Sequence, residues 1–289
     1  MNNFTQRTLS SVVYAGSVIL LTYFSRGYYA LIFDAVFYVI MLCALDEFHR
    51  LMGSSRFNTV VSMLTGGLLY VSVVLFTLRR AICYCGFEGT DIAVSVLWGL
   101  SGMMIFADWI AQLWLKMENP VREWGNNLVS LVMIALPFML MPLILTIDKW
   151  LLLALFVIIW LNDAGAYIIG SLTAKLPKGN HKMFPRVSPA KSWEGLAGGI
   201  ALAVLTGYIF SLFVTDYSVT EWLSMALLIA VFGNLGDLME SLMKRSIGVK
   251  DSGKFLPGHG GVLDRFDSLL LATPILFFML IVMASFSML

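Results

Sequence analysis

Charged residues are scarce in this sequence. They make up 13% of its 289 residues, against roughly 25% in an average soluble domain. The formal net charge is only +1, so no strong positive field favours nucleic acid as a partner. The shortage of charge therefore argues against an ordinary soluble globular protein and against a nucleic-acid-binding one.

Cysteine and histidine are equally scarce, with three residues of each. Cys43 stands apart from Cys83 and Cys85, and this spacing is not that of a zinc site. Cys83 and Cys85 can pair or stay free, and two ordinary loop thiols are the simpler interpretation. His49 and His181 are predicted to lie in loops without partners at ligand spacing. The GxxxxGK[ST] motif is also absent, which excludes a P-loop enzyme.

Long apolar runs are what the sequence has in abundance. Runs of about twenty residues are long enough to cross a hydrocarbon core about 30 Å thick, and they raise the apolar content to 59%. We predict an all-α polytopic integral membrane protein with about nine transmembrane helices. No clear cleavage site follows the first run, so we expect a retained helix rather than a signal peptide. The predicted spans lie near residues 8–25, 27–45, 60–78, 91–115, 127–147, 150–171, 195–214, 221–240 and 268–288.

The 19 basic residues are divided unevenly between the predicted loops. The poorer side of the membrane holds Arg26, Arg79, Arg80 and Lys149. The positive-inside rule places the richer side in the cytoplasm. We therefore expect a multi-pass protein of the inner, cytoplasmic membrane, with its N-terminus inside and its C-terminus outside. The two longest loops, near 172–194 and 241–267, would both face the cytoplasm.

The end of the eighth predicted span carries an unusual set of polar residues. If Asp237, Glu240, Ser241 and Lys244 lie on a helix, their spacing of three and four residues places them on one face. Acidic side chains at membrane depth are costly and favour a functional interpretation. The plainer alternative is a helix end that emerges into water with a solvated face.

The stretch GHGGVLDRFD, residues 258–267, combines glycines with charged side chains just before the last span. Glycine backbones can approach an anion closely, and aspartates are oxygen ligands of the type that Mg²⁺ prefers. Asp264 can also cap a helix, although a cap alone does not require Arg265 and Asp267. A metal shared by Asp237 and Asp264 would hold the last two spans together.

Two other segments place polar groups at the ends of predicted spans. Asn162 and Asp163 lie late in the sixth span, where a hydrogen bond between helices is the simpler explanation. Ser188, Lys191 and Ser192 precede the seventh span, and the free N–H groups of a helix N-terminus suit phosphate oxygens. Ser192 can equally be a plain N-cap.

Taken together, these motifs resemble the phosphatidate cytidylyltransferase (CDP-diacylglycerol synthase) family. Asn-Asp-x-x-Ala-Tyr at residues 162–167 and Ser-Pro-x-Lys-Ser-x-Glu-Gly at 188–195 precede the family signature in the family's order. The resemblance covers roughly residues 160–268; before that, the chain matches only in length and hydropathy. The signature positions between 241 and 267 are filled by Ser241, Met243, Lys244, Arg245, Lys250, Asp251, Gly253, Leu256, Pro257, His259, Gly260, Gly261, Val262, Asp264, Arg265, Phe266 and Asp267.

The resemblance implies transfer of a cytidylyl group from CTP to phosphatidic acid, giving CDP-diacylglycerol and pyrophosphate for phospholipid biosynthesis. It also implies Mg²⁺ with a second, monovalent cation such as K⁺ nearby, and a polar cavity that faces the cytoplasm. A homodimer is compatible with it. We expect N-terminal transmembrane helices in residues 1–125 and a catalytic region in residues 126–289.

The residue roles follow from the need to bring an anion to the α-phosphorus of a highly charged nucleotide. The metal ligands are expected to be Asp237 and Asp264. Asp267 and Asp163 are weaker candidates for the same role. The catalytic residues are expected to be Asp237, Asp264, Lys244 and Lys250. The substrate-binding residues are expected to be Ser188, Lys191, Ser192, Ser241, Arg245, His259, Gly260, Gly261 and Arg265.

Two other functions are compatible with parts of this pattern. A CTP-dependent polyprenol or diacylglycerol kinase would transfer the γ-phosphate and release CDP instead of pyrophosphate. A cation-coupled transporter would place its acidic residues near the centres of its spans. The polar residues here cluster at the predicted cytoplasmic ends, which favours an enzyme.

Overall fold

The computed structural model describes residues 15–25, 29–82, 89–177, 179–253 and 260–287. Within these residues the secondary structure is helical apart from one short hairpin, as the all-α prediction requires. The helices are α1 (Ala15–Phe24), α2 (Ala30–Met52), α3 (Arg56–Ile82), α4 (Gly89–Leu115), α5 (Pro120–Ser130), a π-helical turn (Leu131–Ala135), α6 (Leu136–Ile147), α7 (Lys149–Ala174), α8 (Trp193–Phe213), α9 (Val219–Ser246), α10 (Leu263–Phe266) and α11 (Leu269–Ser287).

Seven helical stretches of the described residues are long and apolar enough to cross a membrane. They coincide with the third to ninth predicted spans, which supports a multi-pass membrane protein. Residues 8–14 of the first predicted span lie outside the described residues. Most of its remainder forms α1 (Ala15–Phe24), an apolar helix that is too short to count among the seven. The second corresponds to α2, which carries Asp34, Asp46 and Glu47 and does not belong to the seven. The count of nine stays a prediction.

The described chain forms two compact units. The first comprises residues 1–149 and 251–265, and the second comprises residues 150–250 and 266–289. The signature segment, residues 241–267, is therefore divided between the units. The predicted boundary between residues 125 and 126 separates N-terminal helices from a catalytic region, and it stays a prediction.

In the first unit, α2 presents one apolar face to its neighbours. Phe33, Phe37, Met41 and Leu45 recur every four residues, and each is fully buried. This spacing places them on one side of the helix, and the rings of Phe33 and Phe37 stack with their centroids 4.3 Å apart. The buried face fixes the rotation of α2 about its axis, and with it the direction in which the polar residues at its C-terminal end point.

One of those polar residues is His49, which is fully buried. The prediction that His49 lies in a loop is wrong, because α2 continues to Met52. Its Nε2 lies 3.1 Å from Ser130 Oγ, which in turn lies 2.7 Å from Ser62 Oγ. Burial lowers the pKa of His49 to about 4, although the charge of Asp46 acts in the opposite direction. The imidazole is therefore neutral at physiological pH.

In the second unit, small residues let α7 and α8 approach closely. A Cβ atom on Gly165 would lie 2.9 Å from the carbonyl oxygen of Gly198, and one on Gly199 would lie 2.7 Å from that of Asn162. Small residues at helix contacts are typical of membrane proteins, because they let backbones approach each other. The close approach brings the polar end of α7 next to the start of α8.

The loop between α7 and α8 contains an antiparallel hairpin that the sequence did not predict. Strands β1 (Lys182–Phe184) and β2 (Ser188–Ser192) pair Lys182 with Ser192 and Phe184 with Ser188. The ladder fixes the backbone of β2 just before α8 begins. The side chains of Ser188 and Lys191 are thus carried on ordered backbone rather than on an irregular loop.

Candidate functional site

An ion pair joins two of the sequence motifs in the second unit. Lys191 Nζ on β2 lies 2.7 Å from Asp237 Oδ2 on α9, and the two side chains are 22% and 30% exposed. Lys191 Nζ also donates to the backbone carbonyl of Asn234 at 3.3 Å. Partial exposure leaves the pair within reach of a polar ligand, because neither side chain is sealed inside the protein.

A hydrogen-bonded chain extends this pair to α7. Asn234 Nδ2 donates to Asn162 Oδ1 at 3.1 Å, and Asn162 Nδ2 donates to Asp163 Oδ1 at 3.3 Å. The predicted bond between helices is therefore present at Asn162. Asp163 itself lies within electrostatic range of Asp237 and Lys191. The chain assembles a polar site from α7, β2 and α9.

A third carboxylate reaches the same site from the start of the last span. Asp267 lies within electrostatic range of Asp237, Glu240 and Asp163. A Cβ atom on Gly236 would lie 2.7 Å from the backbone oxygen of Asp267, so glycine at this position allows the close approach. Three of the four predicted metal-binding aspartates thus gather in the second unit.

These carboxylates fit a particular kind of cation site. Within the described residues, no three or more His, Cys, Asp or Glu side chains are grouped so that they would hold a metal together. Mg²⁺ in enzymes usually takes one or two carboxylates and completes its shell with water and substrate phosphate oxygens. The donors near Asp237 suit such a site shared with a substrate, and they do not suit a cation enclosed by protein ligands.

The polar face predicted for α9 is present, but part of it is buried. Ser241 Oγ donates to Asp237 Oδ1 at 3.2 Å. Glu240 and Lys244 form an ion pair in which the glutamate side chain is fully buried and the lysine side chain is 10% exposed. The alternative of a solvated helix face is therefore wrong for Glu240 and Lys244. A buried pair of charges has a large desolvation cost, so each partner depends on the other.

Two predicted substrate-binding residues have structural partners. Ser192 is the N-cap of α8, and its Oγ accepts a hydrogen bond from Gly195 N at 3.1 Å. Arg245 donates from Nε to the carbonyl of Val187 at 3.3 Å and from Nη1 to that of Val249 at 3.0 Å. The capping alternative for Ser192 is thus confirmed, while Arg245 holds the hairpin turn against the end of α9.

Asp264 belongs to the first unit, where it organises the signature segment. Its Oδ2 accepts hydrogen bonds from Gly261 N at 2.8 Å and from Ser252 N at 3.0 Å. A carboxylate that reaches back three residues to an N–H group acts as one half of a capping box. Gly260, one residue earlier, has a φ of 81°, a conformation that favours glycine. A metal shared by Asp264 and Asp237 stays a prediction.

The sequence matches the family model described as "Cytidylyltransferase family" over residues 5–283. The chain belongs to this family. The match covers the N-terminal helices as well as the motifs, so the family relationship reaches beyond residues 160–268.

Phosphatidate cytidylyltransferases from three staphylococci resemble this member of the cytidylyltransferase family. The protein from Staphylococcus epidermidis is 48% identical over 128 residues, which are 44% of this chain and 47% of the relative. Those from Staphylococcus saprophyticus and Staphylococcus aureus are each 45% identical over 128 residues, with the same shares of both chains. The chain thus spans about half the length of the curated relatives that it matches.

One acidic residue of this chain contacts the signature segment without having been predicted to do so. Glu47 on α2 accepts hydrogen bonds from Val262 N at 2.8 Å and from Leu263 N at 3.1 Å. The hydroxyl of Ser252 donates to the same carboxylate. Sequence reasoning missed Glu47 because its partners lie more than 200 residues away. The local signal was the pair of acids Asp46 and Glu47 after Leu45, and it does not distinguish one acid from the other.

Three further residues with predicted roles lie within the described chain. Ser188 is half-buried on β2, Lys250 is exposed, and Arg265 is partly exposed in α10. His259, Cys83 and Cys85 lie outside the described residues. Their predicted roles stay predictions.

Proposed function

We propose that this protein transfers the cytidylyl group of CTP to phosphatidic acid. An oxygen of the phosphatidate monoester attacks the α-phosphorus, the bond from that phosphorus to the oxygen bridging to the β-phosphorus breaks, and pyrophosphate leaves. The products are CDP-diacylglycerol and pyrophosphate. The meeting of Lys191 and Asp237, from two separate family motifs, at 2.7 Å carries the proposal. The names of the staphylococcal relatives agree with it.

The chemistry needs charge neutralisation more than it needs a base. Phosphatidate is already anionic near neutral pH, so its oxygen can attack without losing a proton to a strong general base. The obstacle is repulsion between this anion and the triphosphate of CTP, which cationic groups relieve. Lys191 stands in a partly exposed position suited to this task. Lys244, Lys250, Arg245 and Arg265 are proposed to contribute further positive charge.

Carboxylates of the site are proposed to hold Mg²⁺. Asp237 is the central ligand, because Asp163 and Asp267 both lie within electrostatic range of it. Asp264 is proposed as a further ligand on the strength of the family signature, and a monovalent cation such as K⁺ is proposed nearby. The bound cation would neutralise phosphate charge and orient the nucleotide. Ser241, which donates to Asp237, would hold that carboxylate in a fixed direction.

The phosphate contacts are proposed to come from the ends of β2 and α9 and from the glycine-rich segment. Ser192 caps the N-terminus of α8, where free N–H groups favour anions, and Ser188 begins the strand that leads to this helix. Gly260 and Gly261 are proposed to admit a phosphate beside the backbone, together with His259.

We propose a multi-pass protein of the cytoplasmic membrane with its site open to the cytoplasm. The distribution of basic residues supports this orientation, with the N-terminus inside and the C-terminus outside. Phosphatidate would enter from the bilayer, and CTP would enter from the water. A homodimer is compatible with the family, and the site described above is built within one chain.

The decisive experiment follows both products of one reaction. The purified chain is incubated in mixed micelles with CTP, phosphatidate and Mg²⁺, and lipid and nucleotide products are quantified. Equal amounts of CDP-diacylglycerol and pyrophosphate are expected. CDP together with a newly phosphorylated lipid would identify a CTP-dependent lipid kinase instead. Cation uptake into vesicles without any CTP turnover would identify a transporter.

A further inference from the structure

Part of the signature segment is held by an acidic side chain from another part of the sequence. Glu47 on α2 is only 7% exposed, and its carboxylate accepts hydrogen bonds from Val262 N, Leu263 N and Ser252 Oγ. Two of these donors are N–H groups at the start of α10, where helices favour negative charge. The third is a hydroxyl from the chain that precedes the glycine-rich stretch.

Two glycines of the same segment leave room for this carboxylate. A Cβ atom on Gly253 would lie 2.8 Å from Glu47 Oε2, and one on Gly261 would overlap Oε1 of the same side chain. Real Cβ atoms essentially never approach a heavy atom this closely, so any other residue at these positions would displace Glu47 or the segment. Contact with the Glu47 carboxylate therefore accounts for glycine at positions 253 and 261. Space for a phosphate would be a second reason.

Asp264 holds the same piece of backbone through different donors. Its carboxylate accepts from Ser252 N and from Gly261 N. Ser252 is thus bound twice, through its N–H group to Asp264 and through its hydroxyl to Glu47. Because both carboxylates hold Ser252, a displacement of Glu47 would also disturb the contacts that orient Asp264.

We propose that Glu47 is a positioning residue that fixes the backbone from Gly261 to Leu263, and with it the Asp264 carboxylate, for cytidylyl transfer. The role rests on the proposed function, and Glu47 acts through backbone N–H groups and a hydroxyl rather than on a substrate. Glutamine has the same size but replaces one acceptor oxygen with an NH₂ group. That group would face hydrogen-bond donors, so the segment would have to shift.

The test compares Glu47→Gln with Asp46→Asn in the full chain. Both substitutions remove one negative charge from neighbouring positions of α2, but Asp46 pairs with Arg50 at the surface. Formation of CDP-diacylglycerol is measured against CTP concentration. Glu47→Gln is expected to lower kcat by roughly 10- to 100-fold with a smaller change in KM, because small displacements of a catalytic group reduce the rate this much. Asp46→Asn is expected to keep the wild-type kcat.

Two further variants separate positioning from general stability. Glu47→Asp keeps the carboxylate and is expected to retain more activity than Glu47→Gln. Ser252→Ala removes a single donor to Glu47 and is expected to lower kcat in a protein that still elutes as a single species in detergent. If Glu47→Gln does not fold, Ser252→Ala alone tests the positioning role. An unchanged kcat in Ser252→Ala would then contradict the proposal.

Other results would overturn the role of Glu47 directly. A folded Glu47→Gln protein with the wild-type kcat would do so, and so would equal losses in Glu47→Gln and Asp46→Asn, since these would reflect charge on α2 in general. A wild-type protein that forms neither CDP-diacylglycerol nor pyrophosphate would contradict the proposed function itself, and this role with it. An active wild type with unaffected variants contradicts only the role of Glu47.

Discussion

Lys191 on β2 and Asp237 on α9 form an ion pair of 2.7 Å between motifs that lie 46 positions apart in the sequence. The lysine also donates to the backbone of Asn234, so its ammonium group is held at two points. A carboxylate beside Asp163 and Asp267 would be repelled by both of them without a cation nearby. Lys191 supplies that positive charge. Because the two residues have different proposed roles, separate substitutions of Asp237 and Lys191 test them independently.

Replacement of Asp237 by asparagine is expected to abolish turnover while the protein stays folded. The substitution keeps the shape of the side chain but removes the charge proposed to bind Mg²⁺. A loss on the order of 100-fold or more in kcat is expected, as for other groups that stabilise transition-state charge. Asp216→Asn, in the exposed turn between α8 and α9, is the matched control. A near-normal rate for Asp237→Asn across a range of Mg²⁺ concentrations would refute the metal assignment.

Replacement of Lys191 by methionine is expected to reduce kcat/KM for CTP by roughly 10- to 100-fold. The long apolar side chain keeps the packing but leaves Asp163, Asp237 and the triphosphate without this positive charge. Lys182→Met, at an exposed position on the neighbouring strand β1, controls for loss of a lysine in the hairpin. Steady-state kinetics with varied CTP provide the measurement. Equal losses of kcat/KM in Lys182→Met and Lys191→Met would contradict a specific role of Lys191. They would reflect the total positive charge of the hairpin instead.

Local sequence patterns were sufficient for the parts of the site that lie on regular helices. The fixed spacing of a helix predicts that Asp237, Ser241 and Lys244 share one face of α9. The structure has the contact between Asp237 and Ser241. The interhelical hydrogen bond at Asn162 follows from a polar group in an apolar helix. In both cases the information lies within a few residues.

Contacts between distant residues could not be predicted in this way. Glu47 lies 205 positions from Ser252 in the sequence and accepts a hydrogen bond from it. No local pattern distinguishes Glu47 from its partly exposed neighbour Asp46. A polar residue such as His49 after an apolar run predicts a loop. In the structure α2 continues past His49, whose buried imidazole contacts Ser130. The β2 strand includes Pro189, which is unusual inside strands, so its hairpin gave no clear signal.

Stability is expected to fall as the pH is lowered from about 6.5 to about 4, in part because of His49. Burial lowers its pKa to about 4, while the unfolded chain titrates near 6.5. Above pH 6.5 the histidine is neutral in both states and has no effect. Between these values only the unfolded chain binds the proton, so unfolding becomes more favourable. The full contribution is roughly 3 kcal/mol below the folded pKa.

Thermal unfolding in detergent as a function of pH measures this contribution. His49→Gln keeps a polar group near Ser130 but does not titrate, so its Tm is expected to fall less steeply than that of the wild type over this range. His181→Gln is the control, because His181 is 86% exposed and pairs with Glu194 at the surface. Identical pH profiles for His49→Gln and the wild type would exclude His49 as a source of the pH dependence.

Alanine at position 261 is expected to disable the protein, whereas alanine at position 125 is not. Gly261, unlike Gly260, does not have a positive φ, so the substitution tests the contact with Glu47 and Ser252 rather than backbone strain. The added Cβ would overlap both side chains, and overpacking of this kind costs about 1–3 kcal/mol. Gly125 in α5 has open space beside it, and its replacement is expected to leave Tm unchanged or raise it slightly. Tm and CDP-diacylglycerol formation are measured for both. A Gly261→Ala protein with wild-type Tm and rate would mean that Glu47 does not occupy the space beside this glycine.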